Sequence, residues 1–305
     1  MTVLIDAPLW PAHGTLWSHL VSDLSVDELH DFAGRAGIAR RAFDLDHYDV
    51  PESRYAELVA LGAVPTERRE LVRRLAAAGL RVPGHARPAA KRSALAARWE
   101  TLLPGARHVG DALLDRWSEP HRSYHGTGHL THVLDSLVVL DPERRAPRAV
   151  PLALWFHDAV HDGAAGEDED RSADLAEALL SPLTGHDDGT GRGAGPLSPE
   201  EVAEVRRLVL LTTHHDPGPD DHAGALVSDA DLAVLGSAPD RYLRYTEQVR
   251  REYAHVPDEV FRPARATVLE QILAGGPVFR TSAGAARWEA AARRNLTDEV
   301  RRLRG

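Results

Sequence analysis

The chain is 305 residues long, carries a formal net charge of −10 at pH 7 and has no cysteine. This length suffices for two domains, each with its own core. The negative charge argues against binding to long nucleic acids, because such binding needs a basic surface that displaces phosphate counterions. The lack of cysteine excludes disulfides, thiolate metal sites and cysteine nucleophiles. No uncharged apolar run approaches the roughly 18 residues of a membrane span, so we expect a cytoplasmic protein.

Residues 1–82 alternate strand and helix signals and predict a small α/β domain. The apolar run at residues 2–5 predicts a short strand. Ser25 followed by Glu28 is a capping-box pattern, which predicts a helix after it. Further elements are predicted from their start signals: a strand at residues 41–45 and helices that open near Pro51 and Thr66.

Residues 83–92 are rich in proline, glycine and alanine and lack apolar periodicity, so they predict a linker. From residue 93 to residue 305 apolar residues recur at helical spacing, which predicts an all-α bundle. The predicted helices cover residues 93–103, 110–117, 129–140, 148–161, 168–180, 199–215, 229–235, 240–254, 258–274 and 283–303. The expected fold class is therefore a small N-terminal α/β domain followed by an all-α helical bundle.

The most informative feature of the bundle is His157 beside Asp158, in the otherwise apolar stretch 154–160. Burying an imidazole and a carboxylate together costs several kcal/mol unless a partner compensates for the lost hydration. A divalent cation is such a partner, since it accepts imidazole nitrogen and carboxylate oxygen as ligands. The pair therefore points to a metal-dependent enzyme.

Further candidate ligands lie on both sides of this pair. His125 lies four residues before His129, one helical turn along a predicted helix. Asp231 follows Asp229 by two residues, and we expect it to cap or orient rather than to bind the metal. Such a site leaves coordination positions open for water and substrate, as catalysis requires. The predicted ligands come from separate helices and are His129, His157, Asp158 and Asp229.

Three segments, HRSYH (121–125), WFHDAV (155–160) and DADL (229–232), resemble the HD superfamily of metal-dependent phosphohydrolases. The resemblance runs from about Trp99 to Leu303. It implies an HD-type helical bundle in which one or two ions of Mn²⁺, Mg²⁺ or Fe²⁺ activate water. In similar phosphodiesterases the histidine at the position of His125 donates a proton to the leaving group. The histidine at the position of His161 orients groups around the ligands.

Dinuclear members of this superfamily use additional histidines or acids. The positions here that fit such a second metal, or support the first, are His161, His214, His215 and Glu169. A helix C-terminus favours histidine and a helix N-terminus favours glutamate through the dipole alone, so that explanation stays open. Arginine binds phosphate oxygens bidentately, and the candidate substrate-binding arginines are Arg122, Arg250, Arg265 and Arg293.

The first domain resembles DUF4031, a small bacterial domain of unknown function. The segments that carry this likeness are WSHLVSD (17–23), ELHDFA (28–33) and HYD (47–49). The resemblance implies no mechanism. We expect the polar residues of the region to lie in solvated loops, with a second polar site as the alternative; they are Asp6, His19, Asp23, His47 and Asp49.

The function expected from the sequence is divalent-metal-dependent hydrolysis of a phosphoester. The substrate would be a nucleotide or another small phosphorylated metabolite, and neither long nucleic acid nor a membrane is expected as a partner. The chain is a candidate for homo-oligomer formation. Two alternatives remain open: an HD-fold di-iron oxygenase, which would use O₂ to oxidise a substrate carbon, and a non-catalytic nucleotide-binding module.

Overall fold

The computed structural model describes residues 2–12, 14–83, 88–163, 167–185 and 196–305. The chain divides into two compact units, the first ending at Ala90 and the second beginning at Lys91. The first contains a β-sheet with helices and the second is mostly helical, so the predicted fold class is confirmed at this level. Within the described ranges, no helix combines the length and the apolar character needed to cross a membrane.

The first unit is built on a mixed β-sheet. Its strands are β1 (Val3–Ile5), β2 (Trp10–Ala12), β3 (Thr15–Ser22), β4 (Phe43–Asp44), β5 (His47–Pro51) and β6 (Val64–Pro65). The strand order is β4-β5-β3-β1-β6, and β2 pairs with β3. β1 and β6 are parallel, and the other pairs are antiparallel. The two predicted strands correspond to β1 and β4, whereas the other strands were not predicted.

Three helices cover this sheet: α1 (Val26–Arg35), α2 (Glu52–Ala60) and α3 (Arg68–Ala77). The predicted cap is present, since the Ser25 side chain accepts a hydrogen bond from the Glu28 backbone N–H at 3.1 Å. The helix predicted from Thr66 begins at Arg68, with Glu67 at its N-cap. α2 begins directly after Pro51, as predicted, but neither α2 nor α3 has a side-chain cap, so the capping signal accounts for α1 alone.

The two faces of the sheet pack against different helices, because successive side chains of a strand point to opposite faces. One face packs with α1 and α2, and its buried strand residues are Val3, Ile5, Leu20, Tyr48 and Val50. The opposite face carries Leu4 and Val21, which pack against Leu71 and Leu75 of α3. The same face also carries the polar residues His19, His47 and Asp49, which recur below.

The second unit consists of ten described helices. They are α4 (Pro88–Leu102), α5 (Arg107–Arg116), α6 (Thr127–Leu140), α7 (Ala149–Phe156), α8 (Glu167–Leu180), α9 (Pro199–Leu211), α10 (His222–Leu232), α11 (Pro239–Glu252), α12 (Asp258–Ala274) and α13 (Ser282–Arg304). Every predicted helix overlaps one of these. α10 begins earlier than predicted, because the Asp221 side chain caps it by accepting from the Gly224 N–H at 2.8 Å.

The predicted linker at residues 83–92 requires a correction. Residues 84–87 lie outside the described residues, but α4 already begins at Pro88. The first turn of a helix tolerates proline, since its N–H would have no helical partner, and Ala89 and Ala90 favour helix. The second half of the predicted linker is therefore helical.

α7 is the central helix of the second unit. All of its residues except Pro151 are buried, and it packs against α6, α8, α9 and α10. The helix predicted over residues 148–161 ends at Phe156, and His157 is its C-cap. His157 and Asp158 therefore leave the helix inside the core rather than continuing it.

Candidate metal centre

Three helices bring His129, His157 and Asp231 together, with one potential ligand atom of each within 4.8 Å of the others. His129 lies in the first turn of α6, His157 follows α7, and Asp231 lies in the last turn of α10. The two Nε2 atoms are 3.0 Å apart. Asp231 Oδ1 is 3.1 Å from His129 Nε2 and 3.4 Å from His157 Nε2.

Asp158 completes a group of four. Its Oδ2 atom lies 3.2 Å from His157 Nε2 and 3.5 Å from His129 Nε2. Ligands bound to one ion at about 2.1 Å are separated by roughly 3.0–3.4 Å, so these atoms have the spacing of a shared coordination sphere. Three of the four predicted ligands are thus brought together, and the set fits a divalent cation.

Asp229 and Asp231 exchange the roles predicted for them. Residues two apart on a helix point about 200° apart, so only one of the two can face the histidines. The Asp229 carboxylate accepts from the backbone N–H groups of Arg280 and Thr281 at 2.7 and 2.8 Å, and from the Thr281 hydroxyl at 2.6 Å. Asp229 therefore anchors the start of α13, and Asp231 lies in the ligand position that was predicted for Asp229.

Hydrogen bonding fixes the orientation of His157. Its Nδ1 lies 2.9 Å from the Leu154 carbonyl oxygen, and because a carbonyl only accepts, Nδ1 donates. Nε2 is then the atom that faces the two carboxylates. The Trp117 ring lies 5.5 Å from the His157 ring, centroid to centroid, and its Nε1 donates to the Trp155 carbonyl at 3.0 Å. The imidazole is therefore held against a fixed indole.

The four side chains shift one another's proton affinities. Burial alone would lower the pKa of His157, but Asp158 and Asp231 raise it well above its ordinary value. The pKa of His129 is also raised, because the same carboxylates outweigh its burial. Conversely, the histidines hold the pKa values of both carboxyl groups well below their usual range despite burial. A cation that binds here must displace protons from the imidazoles.

His125 lies beside the centre and is oriented by Glu252. His125 Nδ1 donates to Glu252 Oε2 at 2.7 Å, while Glu252 Oε1 accepts from the backbone N–H groups of Tyr124 and His125 at 2.8 and 2.9 Å. Burial raises the pKa of Glu252, but these contacts with His125 and Tyr124 lower it to about 2. Glu252 is thus an anion that engages Nδ1 and leaves Nε2 of His125 as the other proton-carrying atom.

His161 packs on His125, with ring centroids 4.0 Å apart. Its Nε2 lies 3.9 Å from Glu252 Oε2. Burial, followed by the charge of His125, lowers the pKa of His161 to about 4. His161 is therefore a neutral ring that positions His125, although His125, His161 and Glu252 also form a compact group of potential ligands.

Two further residues predicted to bind or support a metal, His215 and Glu169, line a cavity that adjoins the centre. His215 Nε2 lies 3.4 Å from Asp231 Oδ2. The other oxygen of this carboxylate, Oδ1, is the one that approaches His129 and His157. His215 has a φ of 50°, a left-handed backbone that is unfavourable for a residue with a Cβ and is often found at functional sites. Glu169 borders the same cavity, whereas His214 is exposed.

Arg122 is a structural link rather than a phosphate clamp. Its buried guanidinium donates to the backbone carbonyls of His125, Asp158 and Ala159 at 3.1, 2.6 and 3.1 Å. These bonds tie the segment before α6 to the segment after α7. Because its donors are used in this way, the predicted role of Arg122 in substrate binding is replaced by a role in positioning two segments that carry site residues.

The other three predicted arginines differ in their surroundings. Arg250 donates to the Tyr253 carbonyl at 2.6 Å and pairs with Asp258. Arg293 donates to Glu289 and to the Gly276 carbonyl. Arg265 borders the cavity, where it donates to Glu299 at 3.0 Å and to the Tyr245 hydroxyl at 2.8 Å. Of the four, Arg265 is the one that lines the cavity.

A cavity of about 300 Å³ opens onto the centre. Its polar lining includes His125, His129, Asp158, His215 and Asp231. Its aromatic and aliphatic lining consists of Tyr124, Leu232, Val234, Leu235, Tyr245, Val249, Tyr253, Val268, Leu269 and Ile272. A cavity lined by apolar side chains and a few polar groups is typical of a small-molecule site.

Glu252 was missed from the sequence although a signal for it exists. The buried residues of α11 are Tyr242, Tyr245 and Val249, and continuing their helical spacing by three residues reaches Glu252. An acidic residue on a buried stripe needs a partner, and here the partner is His125. Tyr124 also lines the cavity, and its buried hydroxyl has no hydrogen-bond partner among the described residues.

Comparison with known proteins identifies the first unit only. Residues 3–78 match the family described as a protein of unknown function (DUF4031), which confirms the resemblance of that region. No curated protein and no solved structure matches the chain. The HD resemblance of the second unit therefore rests on its own residues.

Alanine at Asp231 and alanine at Asp229 should have opposite consequences. Asp231→Ala removes a ligand, so we expect the folded variant to lose the divalent metal ion bound at this centre. Asp229→Ala leaves the donors of Arg280 and Thr281 unpaired, so we expect a loss of about 1–3 kcal/mol in the free energy of unfolding with metal content retained. Urea unfolding and elemental analysis measure the two effects. Loss of metal in the Asp229 variant alone would reverse the assignment.

Metal affinity should rise with pH across the neutral range. Because the pKa values of His129 and His157 are raised, protons compete with the cation for these rings more strongly than for an ordinary histidine. Raising the pH removes this competition, so calorimetric titration with Mn²⁺ between about pH 6 and 8 should show increasing affinity and proton release. His132→Gln is the control on the same helix, because burial lowers the pKa of His132 to about 3. A pH-independent affinity would contradict the expectation.

Proposed function

We propose that the helical unit is a divalent-metal-dependent phosphohydrolase of the HD type that acts on a small phosphoester. The observation that carries this proposal is the arrangement of His129, His157, Asp158 and Asp231 at ligand spacing, with all of them except His157 lining a cavity. Two imidazole nitrogens and two carboxylate oxygens suit Mn²⁺ or Fe²⁺ better than Mg²⁺, which prefers oxygen ligands.

The cation and the protein would divide the chemistry between them. When bound, a divalent ion lowers the pKa of a water ligand and neutralises charge on phosphoryl oxygens. The protein holds its four ligands on three helices, so the position of the reacting phosphorus is set by rigid elements. Asp158, with a partly exposed side chain, lies at the boundary between the ligand group and the cavity.

His125 is the proposed proton donor to the leaving group. Its Nδ1 is held by Glu252 at 2.7 Å, so Nε2 can carry a proton to the departing alkoxide. Glu252 accepts from Nδ1 and fixes the orientation of the ring, and the His161 ring packed on it keeps it in place. The pair thus resembles other imidazole–carboxylate pairs in which the carboxylate sets the orientation and charge of a catalytic histidine.

The cavity favours a small substrate with an apolar or aromatic part. A volume of about 300 Å³ is near the lower end of the roughly 300–1,000 Å³ range of ligand pockets. Tyr124, Tyr245 and Tyr253 line the cavity and provide rings against which a nucleobase can stack. A nucleotide or a similar phosphorylated metabolite is therefore the substrate class that the proposal names.

The proposal predicts metal-dependent phosphoester hydrolysis that needs Asp158. Purified protein tested on a panel of nucleotides and phosphoesters with Mn²⁺, Mg²⁺ or Fe²⁺ should release phosphate or alcohol, and EDTA should abolish this release. Asp158→Asn keeps the shape of the side chain but removes a ligand charge, so we expect kcat/KM to fall by at least about 10²-fold. Tight nucleotide binding without turnover would instead favour a non-catalytic module.

Replacing His125 should affect poor leaving groups most. His125→Gln removes the proton donor, so hydrolysis of an alkyl phosphoester should slow by about 10²–10⁴-fold. A matched p-nitrophenyl ester, whose leaving group needs no proton, should slow far less. Glu252→Gln should give a weaker form of the same pattern, and metal content should be unchanged in both. An equal loss on both substrates would exclude a role in leaving-group protonation.

A di-iron oxygenase is the second candidate, because His215 Nε2 lies 3.4 Å from Asp231 Oδ2, whereas His129 and His157 approach Oδ1. In this arrangement Asp231 can offer one oxygen to each of two ions, with Glu169 on the same cavity. Two irons per chain and O₂-dependent turnover, without phosphoester hydrolysis, would favour this function over the first.

A further inference from the structure

A second group of imidazoles and carboxylates lies on the sheet of the first unit. His19 in β3 is the direct cross-strand neighbour of Asp49 in β5, and His47 lies two residues before Asp49 on the same face. This is the face opposite the α1–α2 core, since Leu20, Tyr48 and Val50 point into that core. The ligand atoms of His19, His47 and Asp49 lie within 4.8 Å of one another.

A carboxylate orients each of the two histidines. His19 Nδ1 lies 2.8 Å from Asp6 Oδ2, and His47 Nδ1 lies 2.6 Å from Asp46 Oδ1. Asp46 is itself held by the Arg81 guanidinium at 2.7 Å and the Val82 N–H at 2.6 Å. This arrangement, in which a carboxylate engages one ring nitrogen and leaves the other as a ligand, is the common support of metal-binding histidines.

The Nε2 side of His47 faces the third potential ligand. His47 Nε2 lies 3.3 Å from Asp49 Oδ1, close to the roughly 3.3 Å that separates ligands of a tetrahedral ion bound at about 2.0–2.1 Å. The His19 and His47 rings approach to 5.0 Å between centroids, and Trp10 stacks on His19 with an interplanar angle of 7°. The rings are therefore fixed in place before any ligand binds.

This group opens onto a cavity of about 270 Å³ that lies within the first unit. Its walls include Asp6, His19, His47 and Asp49, and Arg68 of α3 also borders it. Asp23, expected among the polar residues of the region, instead pairs with Arg74. The cavity gives a cation at the group access to water or to an anionic ligand.

We propose that His19, His47 and Asp49 form a binding site for a divalent transition-metal ion, with Zn²⁺ as the fitting probe. Two imidazoles and one carboxylate are a ligand set that binds such ions while leaving a position open for water or a small anion. Asp6 and Asp46 position the two histidines and do not bind the ion. The site is separate from the metal centre of the helical unit and does not depend on the function proposed there.

Metal content of the full-length protein tests this proposal. Chelator-treated protein is dialysed against Zn²⁺, and zinc per chain is measured by elemental analysis. His47→Gln should lower the content by about one ion per chain, both in the native chain and in an Asp231→Asn background that disables the helical centre. Metal-dependent phosphoester hydrolysis, if present, should not change in the His47 variant.

Two further variants separate a built site from general effects on folding. Asp49→Asn, at a more exposed position, should also lose the ion, and Asp46→Asn should weaken Zn²⁺ affinity by about 10–100-fold. His30→Gln is the matched control, because His30 contacts the Tyr48 hydroxyl at 2.8 Å and lies away from the group. Equal zinc content in the native, His47 and Asp49 proteins would overturn the proposal, as would an equal loss in the His30 variant.

Discussion

Two imidazoles and two carboxylates lie in contact inside the helical unit, and their burial is the constraint on which that unit depends. An isolated ion in such a place costs several kcal/mol, so charge must be balanced locally. The two carboxylates raise the pKa values of His129 and His157, and the histidines lower those of Asp158 and Asp231, so the two signs of charge stabilise each other. Under the proposed function, one divalent cation with two neutral histidines would balance the two carboxylates in the same way.

Residues of this group and their neighbours lie at or just beyond the ends of helices. His157 and Asp158 follow α7, His125 precedes α6, and His215 follows α9 in a left-handed conformation. Helix ends carry unpaired backbone groups, and Arg122 satisfies three carbonyls at two of these ends. A single buried guanidinium thus fixes the distance between the proposed proton donor and the ligand group, which explains why it is not available to substrate.

The parts of the site that could be predicted are those with a local signal. A charged pair in an apolar run identifies His157 and Asp158, and helical spacing identifies His129 and His125. The sequence around α10 does not show whether Asp229 or Asp231 faces the histidines, because α10 is buried on all sides. The rotation of α10 about its own axis depends on the contacts of Asp229 with the start of α13. The Glu252 partner lies 127 residues from His125, a distance that only the folded bundle closes.

In the first unit, histidines and carboxylates that are buried on a β-sheet face the same need for partners. Residues 47–50 alternate polar and apolar side chains, and such a pattern usually means that the polar face meets water. From the sequence we therefore expected these polar residues to lie in a solvated loop. In the structure α3 and Trp10 border that face, so His47 is buried and must have partners for both ring nitrogens. The alternation of polar and apolar residues shows which side chains share a face of the sheet. Whether those side chains form a site depends on the elements that pack over that face.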